Sequence, residues 1–554
     1  MKYDRFGKRR RGRAIAEVPM GRRSFLKAAA GAAVGMGLGS LLSEIPGGQA
    51  FGAEAPSHIA FGTTSEIETA DPHVKYAVSA YPVSLNLYDN LLRFQGNPPR
   101  VVPWLAESYE VSPDGLTWTF RLRRGVQFHD GTELTAESVV YSMDRMLSMN
   151  KDPAGVFKPA IKPGATRARD RYTVEMRLYQ PFAPFLSIIP ILSIVNEKIV
   201  KGQEKSGDWG AEWLRDHEAG SGAFILERYA PATGLTMRRF DRYWRGWAGE
   251  HIRSAEVKVL REVSTQILNI GKGNTHMTHT ILPPDAFRQM AKMEGVTVVQ
   301  DQTLRTFVIR MHNQRPPLSD PDVRRAISYA FDYDGFIKGV MGGVAVRNPG
   351  PLPVNLWGSP RELKGYSFDL DKAREHLAKA KLKVSRPLEM LAISGTAISE
   401  QAGLLLQSNL KKIGIDLKLR NVTFPQIAAS GKSQETAADL TAHWMSAYYP
   451  DPDNWIGQMY DSKKWGTWQA LSYYKSETMD RILSEARQVT SQQKREALYQ
   501  QASRMAVDEA IDIYIYNTVL QRGLSKYLRG YQFSPVGDGL EFWPLYFVKE
   551  AGKP

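Results

Sequence analysis

One short segment, residues 443–455 with the sequence HWMSAYYPDPDNW, concentrates aromatic rings and carboxylates. Pro450 and Pro452 are incompatible with a helix interior or a central strand, so we expect this segment to form a stiff loop. Indole and phenol rings combine apolar area with a polar edge, which suits stacking on a sugar ring or a peptide group. The segment therefore predicts a site for a small solute, although the same rings could instead fill a core. The candidate contacts here are Trp444, Tyr448 and Tyr449.

Two carboxylates, Asp451 and Asp453, lie in the same loop. A buried carboxylate can pair with the α-ammonium group of a peptide, and a pair of carboxylates is the catalytic equipment of glycoside hydrolases. Side chains two residues apart on a proline-fixed loop need not flank one bond, however. The sequence also has no Gly-x-Ser-x-Gly elbow, no His-Glu-x-x-His helix and no phosphate loop. We therefore identify no catalytic residues, and a periplasmic hydrolase acting on a glycan or peptide stays an alternative to a binding role.

A metal site is a further possibility, because His276 and His279 are three residues apart. That spacing would place both imidazoles on one face of a helix. The chain contains no cysteine, and no third ligand completes the set, so we predict neither a metal nor a cofactor. The lack of cysteine also excludes disulfides and cysteine nucleophiles.

The N-terminal segment predicts export. Arg22 and Arg23 precede Ser24-Phe25-Leu26 in a twin-arginine arrangement, and a Gly/Ala-rich apolar run follows over residues 28–42. This run is too short to anchor the chain in a bilayer. We predict that residues 1–50 are a signal peptide, recognised by the twin-arginine translocase and removed near Ala50, and that the protein is periplasmic.

The charge of the chain must be corrected for that segment. The 554 residues carry a formal net charge of +14, but residues 1–50 hold ten Lys or Arg and only three Asp or Glu, which leaves +7 for the remainder. The charges of the remainder are interspersed, which argues against a nucleic-acid groove. With 43% hydrophobic residues, the chain is long and apolar enough for two or three globular domains.

The strongest local structure signals lie between Trp104 and Leu147. Residues 112–115, Ser-Pro-Asp-Gly, predict a turn between two strands, the second of which, 116–122, alternates apolar and polar residues. Thr135 is a suitable cap for a helix that begins at Ala136 and places its apolar residues on one side. These signals predict a half-buried hairpin followed by an amphipathic helix.

The order of residues in this stretch also resembles a known family. Residues 106–108 (Ala-Glu-Ser), 112–115 (Ser-Pro-Asp-Gly), 128–131 (Phe-His-Asp-Gly) and 135–139 (Thr-Ala-Glu-Ser-Val) resemble the family 5 extracellular solute-binding proteins, the peptide, nickel and oligosaccharide receptors of bacterial ABC importers. The resemblance covers roughly residues 59–516. It implies an α/β, bilobal periplasmic-binding-protein-like fold of the cluster C type, with an extra subdomain in the first lobe.

The resemblance also implies a division of the chain and a function. We expect lobe I at 51–260, with its outer subdomain at about 86–205, lobe II at 261–510, and a return to lobe I at 511–554. The expected function is capture of a peptide-like or oligosaccharide-like solute between the lobes by hinge closure and its delivery to an ABC permease. We expect a monomer and no nucleic-acid partner.

Several positions are implied as ligand contacts. The loop after the first strand reaches the cleft in the family, which makes Glu66 a candidate. Peptide-binding members have an aspartate three residues after the tryptophan that matches Trp444, and this chain has Ala447 there, or Tyr448 if the gap is placed otherwise. Tyr141 and Trp357 are further aromatic candidates. The missing aspartate lowers the expectation of a free peptide and favours a neutral glycan or another solute that stacks on aromatic rings.

Overall fold

The structure is a computed structural model, and it describes residues 57–548. The predicted signal peptide, its twin arginines and the cleavage site near Ala50 lie outside the described residues. The strands in chain order are β1 (His58–Thr63), β2 (Leu92–Gln95), β3 (Arg100–Pro103), β4 (Ala106–Val111), β5 (Thr117–Leu122), β6 (Thr166–Asp170), β7 (Thr173–Arg177), β8 (Phe224–Ala230), β9 (Gly234–Arg239), β10 (Ser254–Val259), β11 (Val296–Met311), β12 (Ala345–Arg347), β13 (Leu388–Ile393), β14 (Leu417–Val422), β15 (Leu440–Met445), β16 (Asp512–Ser525), β17 (Leu528–Arg529) and β18 (Tyr546–Phe547).

The α-helices are α1 (Tyr81–Ser84), α2 (Ala136–Met149), α3 (Ala154–Phe157), α4 (Phe185–Ile188), α5 (Glu197–Gly202), α6 (Ala211–Leu214), α7 (Val263–Gly271), α8 (Pro284–Met290), α9 (Pro321–Tyr329), α10 (Tyr333–Gly335), α11 (Leu370–Lys379), α12 (Ala397–Lys411), α13 (Phe424–Ser430), α14 (Ile456–Tyr460), α15 (Glu477–Gln488) and α16 (Gln492–Asp508). Within the described part of the chain, no helix has the length and hydropathy needed to cross a membrane.

Three sheets carry most of the strands. We call them the N-terminal sheet (order β1-β10-β9-β8), the outer sheet (β4-β5-β7-β6) and the large sheet (β12-β16-β11-β15-β13-β14). The N-terminal and large sheets each combine parallel and antiparallel pairs, with β1 parallel to β10 and β13 parallel to β14 and β15. Helices pack on the large sheet, as expected for a mixed α/β fold.

The hairpin and the capped helix are confirmed. β4 and β5 pair around a turn in which Gly115 has a φ of +71°, and Trp118, Phe120 and Leu122 are buried on one face. Thr135 and Ser138 form a capping box at the start of α2. The local signals were sufficient here because turn, alternation and cap all indicate the same structure.

Two long strands run between the sheets, and the sequence underestimated both. β11 has 16 residues and β16 has 14, whereas the sequence predicts strands only over 307–311 and 511–516, where apolar residues concentrate. They pair antiparallel from Val296 with Ser525 to Arg310 with Asp512. At one end they belong to the large sheet, and at the other Leu524 bridges to Met277, which bridges to Phe61 of β1. These two strands therefore connect the large sheet to the N-terminal sheet.

Candidate solute-binding cleft

A cavity of about 300 Å³ lies beside Trp444, where residues from six parts of the chain meet. Its walls include apolar side chains from residues 280–287 and from residues 393–398, and strand residues 518–521 of β16. Arg305 is the charged residue of this lining. A mostly apolar cavity with a few convergent polar groups is the usual form of a small-molecule site.

Trp444 presents a fixed aromatic ring to this cavity. It is half-buried near the end of β15, and its indole Nε1 donates a hydrogen bond of 3.2 Å to the hydroxyl of Tyr516. Its ring also packs against Phe307, with centroids 4.6 Å apart. The ring is thus fixed by contacts with β11 and β16. Because it is already ordered, a solute that stacks on it would not incur the entropic cost of ordering it.

Arg305 reaches the same cavity because β11 is irregular at this point. The pairing of β11 with β16 shifts between Gln302 and Thr306, and bulges of this kind redirect a side chain. The shift is stabilised by Asn517, whose Nδ2 donates to the carbonyl oxygen of Thr303 at 2.7 Å. Ser446 accepts a hydrogen bond of 3.0 Å from Arg305 Nε. The sequence analysis did not select Arg305, although a basic residue beside the apolar run 306–309 was a usable signal.

Tyr448 and Tyr449 pack against the domain that carries the outer sheet. Tyr449 is buried in the hydrophobic cluster of that domain, and Tyr448 packs against the same cluster. The hydroxyl of Tyr76 donates a 2.8 Å hydrogen bond to the carbonyl oxygen of Tyr448. Ala447, next to them, is half-buried and supplies no charge. The loop 443–455 therefore joins the large sheet to the outer domain.

Asp451 and Asp453 are each held by an arginine. Asp451 forms two hydrogen bonds of 2.8 Å with Arg495, and Asp453 accepts one of 2.6 Å from Arg487 Nε. Both carboxylates are 1% exposed, so neither presents a free charge to a solute. Burial alone would lower the pKa of Arg495, but the Asp451 carboxylate outweighs it and raises that pKa, which keeps the guanidinium charged. Burial raises the pKa of the Asp451 carboxyl, and Arg495 opposes that rise. These contacts make both aspartates part of the loop framework and leave no free carboxylate pair for hydrolysis.

A larger cavity of about 640 Å³ lies on the other side of Tyr448. It is lined by residues 179–182 beyond the outer sheet and by Tyr448, Tyr449 and polar residues of α14 and α15. Three charged residues of its lining are already paired, because Arg487 binds both Asp453 and Asp461. The smaller cavity beside Trp444 is the better candidate for recognition, since its walls are mostly apolar and include an indole that Tyr516 holds in place.

The structure places the other three candidates outside the Trp444 cavity. Glu66 is exposed and forms an ion pair with Arg261. Tyr141 is buried on α2, where its ring packs against Trp209 and lies below the ammonium of Lys201. Trp357 donates a hydrogen bond of 3.1 Å to the carbonyl oxygen of Pro450 and lies against Arg495. Trp357 thus packs against the loop and supports it. Direct ligand contacts of Glu66, Tyr141 and Trp357 stay predictions.

A fully buried ion pair anchors the loop that follows β1. Arg145 of α2 binds both carboxylate oxygens of Asp71, at 2.9 and 2.6 Å, and donates 2.7 Å to the carbonyl oxygen of Trp209. Neither side chain of the pair is exposed. This contact fixes the end of the Glu66 loop to the helix whose cap was read from the sequence.

The two spaced histidines do not form a helical metal site. Residues 274–280 are not helical, and among residues 57–548 no group of three His, Asp or Glu side chains could hold a metal. Instead, His276 Nδ1 accepts a 3.0 Å hydrogen bond from the amide of Ala60, and His279 Nδ1 lies 3.1 Å from the hydroxyl of Thr64. The expectation of one helical face was wrong because the chain is extended here and bridges two strands.

His276→Gln is expected to weaken the loss of stability in acid. Burial lowers the pKa of His276 to about 4, whereas an unfolded histidine titrates near about 6.5. Between these values the unfolded chain binds a proton that the folded chain excludes. The free energy of unfolding therefore falls as the pH falls, by up to about 1.4 kcal/mol per pH unit. Denaturant titrations at pH 7, 6 and 5 should show a smaller slope in the variant.

His217→Gln is the matched control for this series, because His217 is an exposed histidine. The prediction fails if His276→Gln and the parent chain lose stability equally between pH 6 and pH 5.

The sequence comparison now gives the family. Residues 100–467 match the model of the bacterial extracellular solute-binding proteins, family 5 Middle. The chain belongs to this family. Among its relatives, the probable D,D-dipeptide-binding periplasmic protein DdpA of Escherichia coli K12 is 28% identical over 487 residues, which cover 86% of this chain and 92% of that protein.

Solved structures of family 5 proteins share the fold. The ABC transporter substrate-binding protein CtaP from Listeria monocytogenes has a TM-score of 0.80 at 20% identity and covers 90% of this chain and 100% of its own. DppA from Helicobacter pylori, in complex with the peptide STSA, has a TM-score of 0.76 at 24% identity and covers 89% and 99%. The expected bilobal α/β fold is thereby confirmed.

Membership in family 5 makes this chain the substrate-binding component of an ABC import system, which captures a solute and delivers it to the permease. The relatives are binding proteins, and nothing in the comparisons favours the hydrolase alternative. The boundaries at residues 260 and 510 were drawn from the sequence and stay predictions.

Proposed function

We propose that this chain is a periplasmic receptor for a peptide-like solute, which it holds between two lobes with one side of the solute against Trp444. The observation that carries the proposal is the cavity of about 300 Å³ in which a pre-positioned indole and a cation face mostly apolar walls. The name of the DdpA relative, a D,D-dipeptide-binding protein, supports the solute class.

The proposed movement is a rotation about β11 and β16. Contacts between the outer domain and the loop 443–455, such as that of Tyr76 with Tyr448, would be made only in the closed state. A solute stabilises that state only through contacts that the open state lacks. In this proposal lobe I comprises 51–260 and 511–554, and lobe II comprises 261–510.

An oligosaccharide-like solute is the second candidate class. The observation in its favour is that, within the described part of the chain, no carboxylate lines the Trp444 cavity; Ala447 is uncharged and the aspartates that follow it bind arginines. A peptide α-ammonium group buried there would be left without a partner. A glycan would need only the aromatic surface and neutral hydrogen bonds.

The proposed route to the periplasm is twin-arginine export with cleavage near Ala50, and the proposed state is a monomer. Replacement of Arg22 and Arg23 by lysine should leave the precursor in the cytoplasm, which fractionation would show. N-terminal sequencing of the periplasmic product would locate the cleavage site.

Trp444→Ala is expected to weaken solute binding about tenfold or more, as is common for truncation of an aromatic group at the centre of an interface. The measurement is isothermal titration of the purified chain with panels of di- and tripeptides and of oligosaccharides. Trp213→Ala is the control, because Trp213 is also partly buried but stacks on His217 on the surface of another domain.

Binding of peptides but not oligosaccharides, weakened only in Trp444→Ala, would support the proposal. Oligosaccharide binding alone would overturn the peptide class, and equal effects of both tryptophan variants would overturn the site.

A further inference from the structure

The guanidinium of Arg305 is held in place but not neutralised. Its Nε donates to Ser446, yet within residues 57–548 its two terminal nitrogens donate no hydrogen bond and it forms no ion pair. The residue is only half-buried and lines the cavity beside Trp444. The terminal nitrogens of a positioned guanidinium that lines the cavity are therefore free to donate.

The backbone around Arg305 is built to hold this position. The amide of Arg305 donates a 2.9 Å hydrogen bond to the hydroxyl of Thr303, which in turn donates 2.9 Å to the carbonyl oxygen of Thr518. Asn517 bonds the carbonyl oxygen of Thr303 from the partner strand. Fixing the irregular segment of β11 in this way removes much of the ordering cost that a flexible arginine would otherwise incur on binding.

A second arginine adds positive charge to the same region. Arg522 of β16 is 2% exposed, and its Nε and Nη1 have no hydrogen-bond partner in the described chain, while Nη2 donates to the backbone carbonyl of Asp538 at 2.8 Å. Arg522 and Arg305 both act on His279, whose pKa burial and these charges lower to about 3. Buried cations without a paired acid favour an anion in their neighbourhood.

The acids near the two arginines do not cancel them. Asp538 and Asp301 interact with the arginines, but neither forms an ion pair with them in the described residues. Neither carboxyl group lines the cavity, whereas Arg305 does, so the charge presented to a solute at this end of the cavity is positive.

The two carboxylates of the Trp444 loop are already paired, since Asp451 and Asp453 are bound by Arg495 and Arg487, and Ala447 is neutral. Among the described residues, the lining of the Trp444 cavity thus offers a cation to an anionic end of a solute and no carboxylate to a cationic end.

We propose that Arg305 binds a carboxylate of the solute through its two free nitrogens, with the solute stacked on Trp444, so that the receptor selects carboxylate-bearing solutes and does not require a free α-ammonium group. The proposal rests on the function proposed above and names the chemical group that selects within it. Guanidinium and carboxylate groups match in geometry and form two parallel hydrogen bonds. The carboxylate could be the C-terminus of an N-blocked peptide or belong to a non-peptide organic acid.

The test uses pooled di- and tripeptides in three forms: free at both ends, N-acetylated and C-amidated. A fourth pool contains aromatic carboxylic acids that are not peptides. Binding to the purified chain is followed by thermal shift and by native mass spectrometry. We expect the N-acetylated pool to bind as well as the free pool, and the C-amidated pool to bind about 10- to 100-fold more weakly, as for the loss of a charged hydrogen-bond pair.

Variants of the chain complete the test. Arg305→Gln should abolish the difference between the N-acetylated and C-amidated pools, and Arg305→Lys should retain part of it, because lysine keeps the charge but loses the fork. Arg167→Gln is the control, since Arg167 is an exposed arginine on β6 of the outer sheet. The comparison of pools on the unmodified chain decides the question even if Arg305→Gln does not fold.

The outcomes separate the two proposals. Equal or tighter binding of C-amidated peptides would overturn the role of Arg305 and leave the peptide receptor intact. Binding of the non-peptide acids alone, lost in Arg305→Gln, would support Arg305 and overturn the peptide class. Binding of none of the four pools would overturn both.

Discussion

Asp451→Asn should lower the free energy of unfolding by about 3–5 kcal/mol, the range for breaking a buried ion pair at one partner. The change leaves the Arg495 guanidinium buried beside a neutral amide, where 6% of that side chain is exposed. Arg495 also donates 2.8 Å to the carbonyl oxygen of Ala486 and lies against the rings of Trp357 and Tyr499, so it cannot turn to solvent without disrupting those contacts. Chemical denaturation at neutral pH measures the loss.

The double variant Asp451→Asn with Arg495→Met is the control for this prediction. Removing both charges should recover much of the stability, because an uncompensated buried charge is the main cost of the single change. Solute affinity of the folded fraction should stay within about threefold of the parent, since Asp451 does not reach the Trp444 cavity. A stable Asp451→Asn chain that has lost solute binding would contradict this reading and make Asp451 a ligand contact.

Trp455→Ala should cost about 3–5 kcal/mol of unfolding free energy, the range for truncating a large aromatic side chain in a core. Trp455 is 0% exposed and packs in a cluster that includes Met459, Leu483 and Tyr499. Removal of the indole would leave a cavity that neighbouring helices cannot close. Thermal and denaturant unfolding should both report the loss, and the effect contrasts with that of Trp444→Ala, which should act on binding.

Trp455→Phe is the matched comparison. The indole Nε1 of Trp455 is buried without a hydrogen-bond partner among residues 57–548, so phenylalanine removes a polar group that contributes no bond. We expect Trp455→Phe to cost clearly less than Trp455→Ala. An alanine variant as stable as the parent, or one that unfolds normally but fails to bind, would contradict the core assignment.

The local elements were largely predictable from sequence. The residue patterns at 58–64, 172–178 and 255–260 predict strands, and β1, β7 and β10 lie within one or two residues of those bounds. The sequence offers Ser319 or Asp320 as the cap of the helix that follows, and Asp320 caps α9. Their signals are alternation, capping and turn chemistry, which depend on neighbours in the chain. The lengths of β11 and β16 were missed because the first half of β11 and the second half of β16 are only half-buried and carry no clear alternation.

The candidate site was predictable only in part. Residue types and proline spacing indicated a stiff aromatic loop over 443–455, but residues 443–445 end strand β15 and residues 452–454 form a 3₁₀ turn. Trp444 lines a cavity. The same reasoning made Asp451 and Asp453 candidate ligand contacts together with Trp444. Their partners Arg495 and Arg487 lie more than 30 residues further along the chain, so the sequence does not show that both carboxylates are paired. Arg305 was missed because its guanidinium is a candidate only by virtue of forming no ion pair among the described residues, and a sequence does not show which charges stay unpaired.

The sequence by itself determined the elements, the cap of α2, the turn at Gly115 and, through the order of motifs, the family. Only the tertiary structure decided which charges are neutralised within the protein and which are left for a solute. The reason is physical: local backbone preferences act over a few residues, whereas the pairing of a buried charge depends on side chains that the fold brings together from distant parts of the chain.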